Sequence, residues 1–364
     1  MKYKFLASAI FALLATESAF AQTGLTLYGN VDASVVSVSD IGPGANRRTS
    51  FGEGNWAASV WGVKGTEDLG SGMRAHFRLE GGFNSGNGAI ANGGTTGTFS
   101  RMANVGLSGP FGSFTAGLNL SPFIAAYTST LGLAGNNFYV PALLLHRGGT
   151  ALNPASVPVS VTAGGADADP AVGSTGGFFI PNSLSYSLPS EMLAGVTASV
   201  MYAFGGVPGD NGANRFLSGN VGYALGDLNV IAATSYRDAQ YRQYLIGASV
   251  PVGPAKVAAN IVRFNPEAGE TTNTYVVGAE MKFMPNASVG VNYARNNGTG
   301  NPDIINVSAV YSLSKTTNLY AVYNHASEGA FSSYSGLVDA SISPSTLNQP
   351  GKSNAIMVGL QKGF

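Results

Sequence analysis

Four titratable side chains occupy every second position of one short run: Arg74, His76, Arg78 and Glu80, interleaved with Met73, Ala75, Phe77 and Leu79. A spacing of two puts all four on one face of an extended strand and the apolar set on the other. Such a face is suited to electrostatics rather than to making bonds, because clustered cations beside one carboxylate set up a local field that draws anions. Lys64 and Arg101 are further cations in the same part of the chain, and Asp32 lies on the polar side of another alternating run. Motifs for bond-making chemistry fail on context. Gly86-x-Gly88-x-x-Ala91 imitates a dinucleotide fingerprint but sits in a Gly/Asn-rich stretch with no helix after it, and Gly351-Lys352-Ser353 lacks the upstream glycine of a phosphate loop. Asp167-x-Asp169 supplies too few ligands for a divalent ion. The three histidines, His76, His146 and His325, accompany neither a Gly-x-Ser-x-Gly elbow nor a His-Glu-x-x-His pair. With no cysteine, thiolate metal sites and cysteine nucleophiles are also excluded. No cofactor, no metal and no enzymatic activity are expected.

Composition narrows the elements that can carry this face. Charged residues make up 10% of the 364 and glycine numbers 50, against usual shares of about 25% and about 7%. Basic and acidic residues balance at 19 each, so no one-sign field draws the chain to nucleic acid. Apolar residues reach 45%, with 19 Phe and 16 Tyr, and Lys/Glu-rich stretches are almost absent. That composition excludes a disordered chain and a coiled coil, and favours strands.

The basic Lys2 and Lys4, the apolar run Phe5 to Ala15 and the small-x-small Ala19-Phe20-Ala21 predict a secretory signal over 1–21, cleaved before Gln22. Residues 22–364 are then expected to form one domain. Beyond the signal no apolar run approaches the ~18 residues of a transmembrane helix; the best candidate, Val140 to Leu145, contains Pro141. Apolar positions instead alternate: Tyr275, Val277, Ala279, Met281 and Phe283 against Thr274, Gly278, Glu280 and Lys282, and Ile305, Val307, Ala309, Tyr311 and Leu313 against Asn306, Ser308 and Ser312. The period of two predicts strands with one apolar face. Sixteen such segments run from 25–38 to 353–364, joined alternately by tight turns, as at Gly226-Asp227 and Pro285-Asn286, and by long connections, as at 39–54, 84–98, 120–179 and 327–352. Arg237-Asp238-Ala239 is the one short link on the long side. Alternating loop lengths, an even strand count and aromatics crowded near the tight turns (Phe111, Phe114, Tyr223, Phe283, Tyr311) match an up-and-down transmembrane β-barrel with both termini on one side. If lipid lies outside, the Arg74–Glu80 face must line water, since a charge at the lipid midplane costs about 2–4 kcal/mol.

The matching stretches Leu25-Thr-Leu-Tyr28-Gly29-x-x-Asp32, Trp61-Gly-Val-Lys64-Gly65-Thr-Glu67-Asp68-Leu69-Gly70 with Phe77-x-Leu79-Glu80, Phe99-Ser-Arg101 with Val105-Gly-Leu107, Asn182-Ser-Leu-x-Tyr186, and Val358-Gly-Leu360 ahead of a terminal Phe364 cover the whole mature chain. Together they resemble the sixteen-stranded trimeric general porins of the Gram-negative outer membrane. The resemblance implies an all-β, sixteen-stranded antiparallel transmembrane barrel with the third loop folded into the lumen. It further implies a homotrimer embedded in outer-membrane lipid, recognition of Phe364 by the barrel assembly machinery, and passive diffusion of small hydrophilic solutes and ions. It places Lys64, Arg74, His76, Arg78, Glu80, Arg101, Arg147 and Asp32 on the pore lining, with Arg74, Arg78, Arg101 and Lys64 as the basic side of a constriction.

The chain also departs from that pattern. Val60, Leu118 and Phe178-Phe179-Ile180 stand where similar porins often carry arginine. The third loop offers Phe123, Tyr127, Phe138 and Tyr139 as an apolar lining, with His146 and Arg147 as its basic residues and Asp167 and Asp169 as its acids. An alternative expectation is therefore a substrate-specific channel with a weakly charged constriction that favours neutral or aromatic solutes. An outer-membrane barrel enzyme would need a nucleophile and base on the lipid-facing rim, whereas His76 projects inward by parity; a soluble β-protein or adhesin would not explain the apolar outward faces.

Overall fold

The computed structural model describes residues 24–41, 46–54, 56–91, 97–131, 178–189, 192–298, 301, 303–327 and 353–364. The expected signal peptide, Phe138, Tyr139 and Arg147 lie outside them. One antiparallel sheet holds eighteen hydrogen-bonded segments. Two pairs of segments share a place in it. Asn46–Glu53 and Val60–Gly70 both pair with the same edge of the first strand, and Ile90–Ala91 and Met102–Gly109 both pair with Met73–Phe83. The barrel therefore has sixteen positions: β1 (Gly24–Ile41), β2 (Asn46–Glu53 with Val60–Gly70), β3 (Met73–Phe83), β4 (Ile90–Ala91 with Met102–Gly109), β5 (Gly112–Leu120), β6 (Phe179–Ser187), β7 (Val196–Ala203) and β8 (Phe216–Leu225). They continue as β9 (Leu228–Arg237), β10 (Tyr241–Val252), β11 (Ala255–Pro266), β12 (Thr272–Met284), β13 (Ala287–Asn296), β14 (Asp303–Ser314), β15 (Thr317–Ala326) and β16 (Ser353–Gly363).

β1 pairs with β16 from Asn30↔Gly363 to Val38↔Ala355, which closes the sheet and leaves no edge. Gly29 and Phe364 exchange both backbone hydrogen bonds at 3.0 Å, so the two ends of the described chain meet at one rim. The tight turns share that rim. In two of them, Gly226 (φ 58°) and Gly253 (φ 59°) occupy the first central position of a two-residue hairpin, where a left-handed φ matches the twist of the flanking strands and suits glycine.

The alternation read from the sequence sets the two faces. Leu25, Leu27, Val105, Val200, Ile246 and Val358 point outward and are exposed, whereas the polar partners point into the barrel. Phe111, Phe114, Tyr223, Phe283, Tyr311 and Phe364 form an exposed aromatic girdle near the tight-turn rim. Within it Phe114 and Tyr186 lie 4.6 Å apart, and the Tyr186 hydroxyl donates to the Phe111 carbonyl at 2.7 Å.

Two features differ from the sequence reading. Residues 46–53, expected in a loop, are a strand: β1 extends for 18 residues, past the apolar alternation, and its upper half needs a partner for its backbone groups. The third connection opens with a helix, α1 (Pro122–Ser129), started by a proline at its first position, where the missing N–H costs nothing. The Phe123 amide donates to Ser218 Oγ at 3.0 Å, Asn220 donates to the Pro122 carbonyl at 2.7 Å, and Asn260 donates to Thr130 Oγ1 at 3.1 Å. Ser218, Asn220 and Asn260 are inward positions, so residues 121–131 run along the inner wall.

Candidate functional site in the barrel lumen

The face opened by Arg74, His76, Arg78 and Glu80 points inward from β3. Across the ladder stand Asp68, Thr66, Lys64 and Gly62 of β2 on one side, and Ser108, Gly106, Asn104 and Met102 of β4 on the other. At its upper end the charges are linked. Glu80 is buried and accepts from Arg78 and, at 2.8 Å, from Arg101 Nε. The Tyr28 hydroxyl bridges the same groups, donating to Glu80 Oε2 at 2.9 Å and accepting from Arg78 Nε at 2.7 Å. Its ring carries Lys64 Nζ and the Arg78 guanidinium, each 5.3 Å from the centroid. Two cations share one carboxylate here, so the cluster keeps a net positive charge while the buried acid is satisfied. Arg74 and Lys64 are exposed to the lumen, and among the described residues neither forms an ion pair.

Arg101 precedes its strand, and its position depends on the backbone around it. Its amide donates to the Glu80 carbonyl at 3.1 Å, and its guanidinium lies 4.7 Å above the ring of Phe179. Phe179, one of the apolar residues expected to depart from the resembled pattern, thus supports an arginine. Val60 is half-buried on the inner face, and Leu118 is buried. A Cβ on Gly81 would stand 2.0 Å from the Thr98 carbonyl oxygen, so only glycine lets the 98–101 segment close over β3. Gly81→Ala is expected to cost about 1–3 kcal/mol by overpacking, read as a lower unfolding midpoint, and to weaken ion selectivity by displacing Arg101.

Asp32 is placed differently. It is fully buried, accepting from the Trp56 and Ala57 amides at 3.0 Å each and from the Tyr320 hydroxyl at 2.6 Å. Trp56 stacks on Tyr320 at 5.6 Å, so Asp32 pins the inward detour between the two halves of β2 rather than facing water. Phe123 and Tyr127 of α1 are also fully buried, in an apolar cluster with Leu245 and Val262 of the inner wall, and present no surface to a solute. Sequence reasoning assigned no role to Tyr28, Trp56, Tyr320 or Phe179, whose partners lie far away in the chain. It also passed over Lys256 and Lys282, inward cations of β11 and β12 on another part of the wall.

Among inward side chains that are described, Arg48, Lys64, Arg74, Arg78, Arg101, Arg237, Lys256 and Lys282 face only Asp32, Asp68, Glu80 and Glu280. Among the described residues no three His, Asp or Glu side chains converge as a metal site would require. Among the described residues the site can therefore attract and orient ions in water, with no bond-making constellation. A profile of the Gram-negative porins matches residues 7–330. The chain belongs to the Gram-negative porin family. This porin is 29% identical over 338 residues to outer membrane porin protein 32 of Delftia acidovorans, with 88% of each chain covered. Its barrel superposes on the anion-selective porin from Comamonas acidovorans with a TM-score of 0.70, at 24% identity, over 94% of this chain and 100% of that one. The trimer form of OmpT from Vibrio cholerae matches with a TM-score of 0.61 at 13% identity, over 94% and 99%. The porin is thus an outer-membrane channel for passive diffusion and not an enzyme.

Proposed function

We propose that this porin favours small anions, and that Lys64, Arg74, Arg78 and Arg101 form the basic side of its constriction. The observation that carries the reading is the twofold excess of inward cations over inward acids among the described side chains, with Lys64 and Arg74 in no ion pair among them although Asp68 stands across the ladder from Arg74. The anion-selective Comamonas porin of the same fold supports it. The third connection is proposed to narrow the lumen, continuing the path that 121–131 begin along the inner wall. A homotrimer is proposed from the trimer form of the Vibrio cholerae relative. Phe364, exposed on the outer wall beside Gly29, is accessible for recognition by the barrel assembly machinery. The reading of a weakly charged channel for aromatic solutes loses Phe123 and Tyr127, which are buried in the wall.

Single-channel recording in a planar bilayer under a potassium chloride gradient tests this. Steps closing in thirds and a reversal potential of anion sign are expected, with Arg101→Ala reducing the anion preference. A reversal of cation sign, or one unmoved by Arg101→Ala, would overturn the assignment.

A further inference from the structure

The inward row of β3, β4 and β5 nearest the tight-turn rim is unlike the rows above it. Arg74, Ser108 and Ser113 stand directly opposite one another across two ladders, next to the turns at 70–73 and 109–112. Side chains opposed in this way lie about 5 Å apart. Among the described residues none of the three makes a side-chain hydrogen bond or an ion pair. Asp68, across from Arg74 on the β2 side, is engaged by the turn, where it accepts from the Gly70 amide at 2.8 Å. Higher on the same wall the inward polar groups satisfy one another. Asn104 donates to Asn119 at 2.8 Å, Asn119 donates to Ser183 at 3.0 Å, and Arg78 and Arg101 share Glu80. The row at the mouth thus keeps a guanidinium and two hydroxyls for whatever enters from water.

These three side chains line a cavity of about 660 Å³ at the tight-turn rim, whose apolar walls include Pro110, Leu188 and Met192. Met192 is exposed, from the turn that follows β6. Polar donors on one side and an apolar shelf on the other divide the work of recognition: the donors fix a ligand's orientation, and the shelf takes its apolar surface from water. A guanidinium grips a carboxylate through two parallel hydrogen bonds, and a thioether adapts to the edge of a ring. We propose that the tight-turn mouth binds carboxylates that carry an apolar ring or short chain, with Arg74, Ser108 and Ser113 on the carboxylate and Pro110, Leu188 and Met192 on the apolar body. The site rests on the reading of Arg74 as a pore cation and names a solute class for it. Inorganic phosphate fits less well, since it leaves the apolar shelf uncovered and meets a single cation.

The test is current-noise analysis of the full porin in a planar bilayer, with benzoate, acetate, benzyl alcohol or inorganic phosphate added in turn, and the reversal potential in potassium chloride read on the same channels. On the unaltered protein benzoate should bind about tenfold more tightly than the other three, the scale of one charge-assisted hydrogen bond or one buried apolar group. Arg74→Gln should lower benzoate binding to that of benzyl alcohol, and Met192→Ser to that of acetate. Lys282→Gln, which removes an inward cation on another part of the wall, should leave benzoate binding as it was. Equal binding of benzoate and acetate overturns the proposal on the unaltered protein, whether or not any variant folds. Phosphate bound as tightly as benzoate overturns it in favour of a simple anion site, and an equal loss in Lys282→Gln and Arg74→Gln in favour of a diffuse field. An anion-sign reversal potential without the benzoate preference sinks this site alone. A cation-sign reversal with the preference and its Arg74 dependence intact supports the site and sinks the anion-selective reading.

Discussion

Replacing Asp32 by alanine should lower the stability of the barrel by about 3–5 kcal/mol, the largest loss expected from any single side chain in the lumen. The carboxylate is fully buried and accepts from two backbone amides and a tyrosine hydroxyl. Its removal strands three donors, and a buried polar group left unpaired costs about 1–3 kcal/mol. Asp32→Asn keeps one acceptor oxygen and should lose roughly half as much. The measurement is the denaturant midpoint of the folded band in detergent, compared among the three proteins. Because the Trp56 detour is tied to the wall through Asp32, open-channel current noise should rise in parallel. A loss below about 1 kcal/mol, with quiet channels, would show that the detour is held by the Trp56–Tyr320 stack alone.

The double variant Lys64→Gln, Arg74→Gln should produce the largest change in selectivity. Both side chains are exposed and in no ion pair among the described residues, so their removal leaves no buried acid among those residues without a partner and the fold is expected to hold. A unit charge about 8 Å from a permeating ion contributes roughly 0.5 kcal/mol at the dielectric of water. Two such charges act with opposite sign on anions and cations, so the permeability ratio should shift toward cations by on the order of tenfold in dilute salt. The shift should shrink sharply toward 1 M, where the screening length falls to about 3 Å. Reversal potentials at two ionic strengths separate this from a change in pore width, which would alter conductance at both. By contrast, Arg78→Gln or Arg101→Ala alone would also leave Glu80 with fewer donors, mixing a folding cost into the selectivity readout.

The barrel was legible in the sequence because two physical constraints act on each residue separately. Lipid on one side and water on the other force alternation at period two, and burial alternates over Tyr241–Val250 of β10, Thr272–Gly278 of β12 and Leu319–Ala326 of β15. Turns on one rim need only two or three residues, so the parity of loop lengths revealed where both termini must meet. The inward set Arg74, His76, Arg78 and Glu80 followed from the same parity. Strand Asn46–Glu53 escaped because it lies above the apolar band, where no lipid enforces alternation, and its existence depends on the unusual length of β1.

What the sequence by itself determined was thus the face each strand residue occupies, since that depends only on its parity. Which inward charges compensate one another was decided by the tertiary structure alone. Glu80 lies in β3, Arg101 ahead of the longer β4 segment and Tyr28 in β1, and the lateral pairing of β1 with β2, β2 with β3 and β3 with β4 brings them within hydrogen-bonding distance. Asp32 and Tyr320 are separated by 288 residues and meet solely because β1 pairs with β16 and β16 with β15. Parity is local information, whereas pairing depends on barrel closure and register, which no single segment encodes.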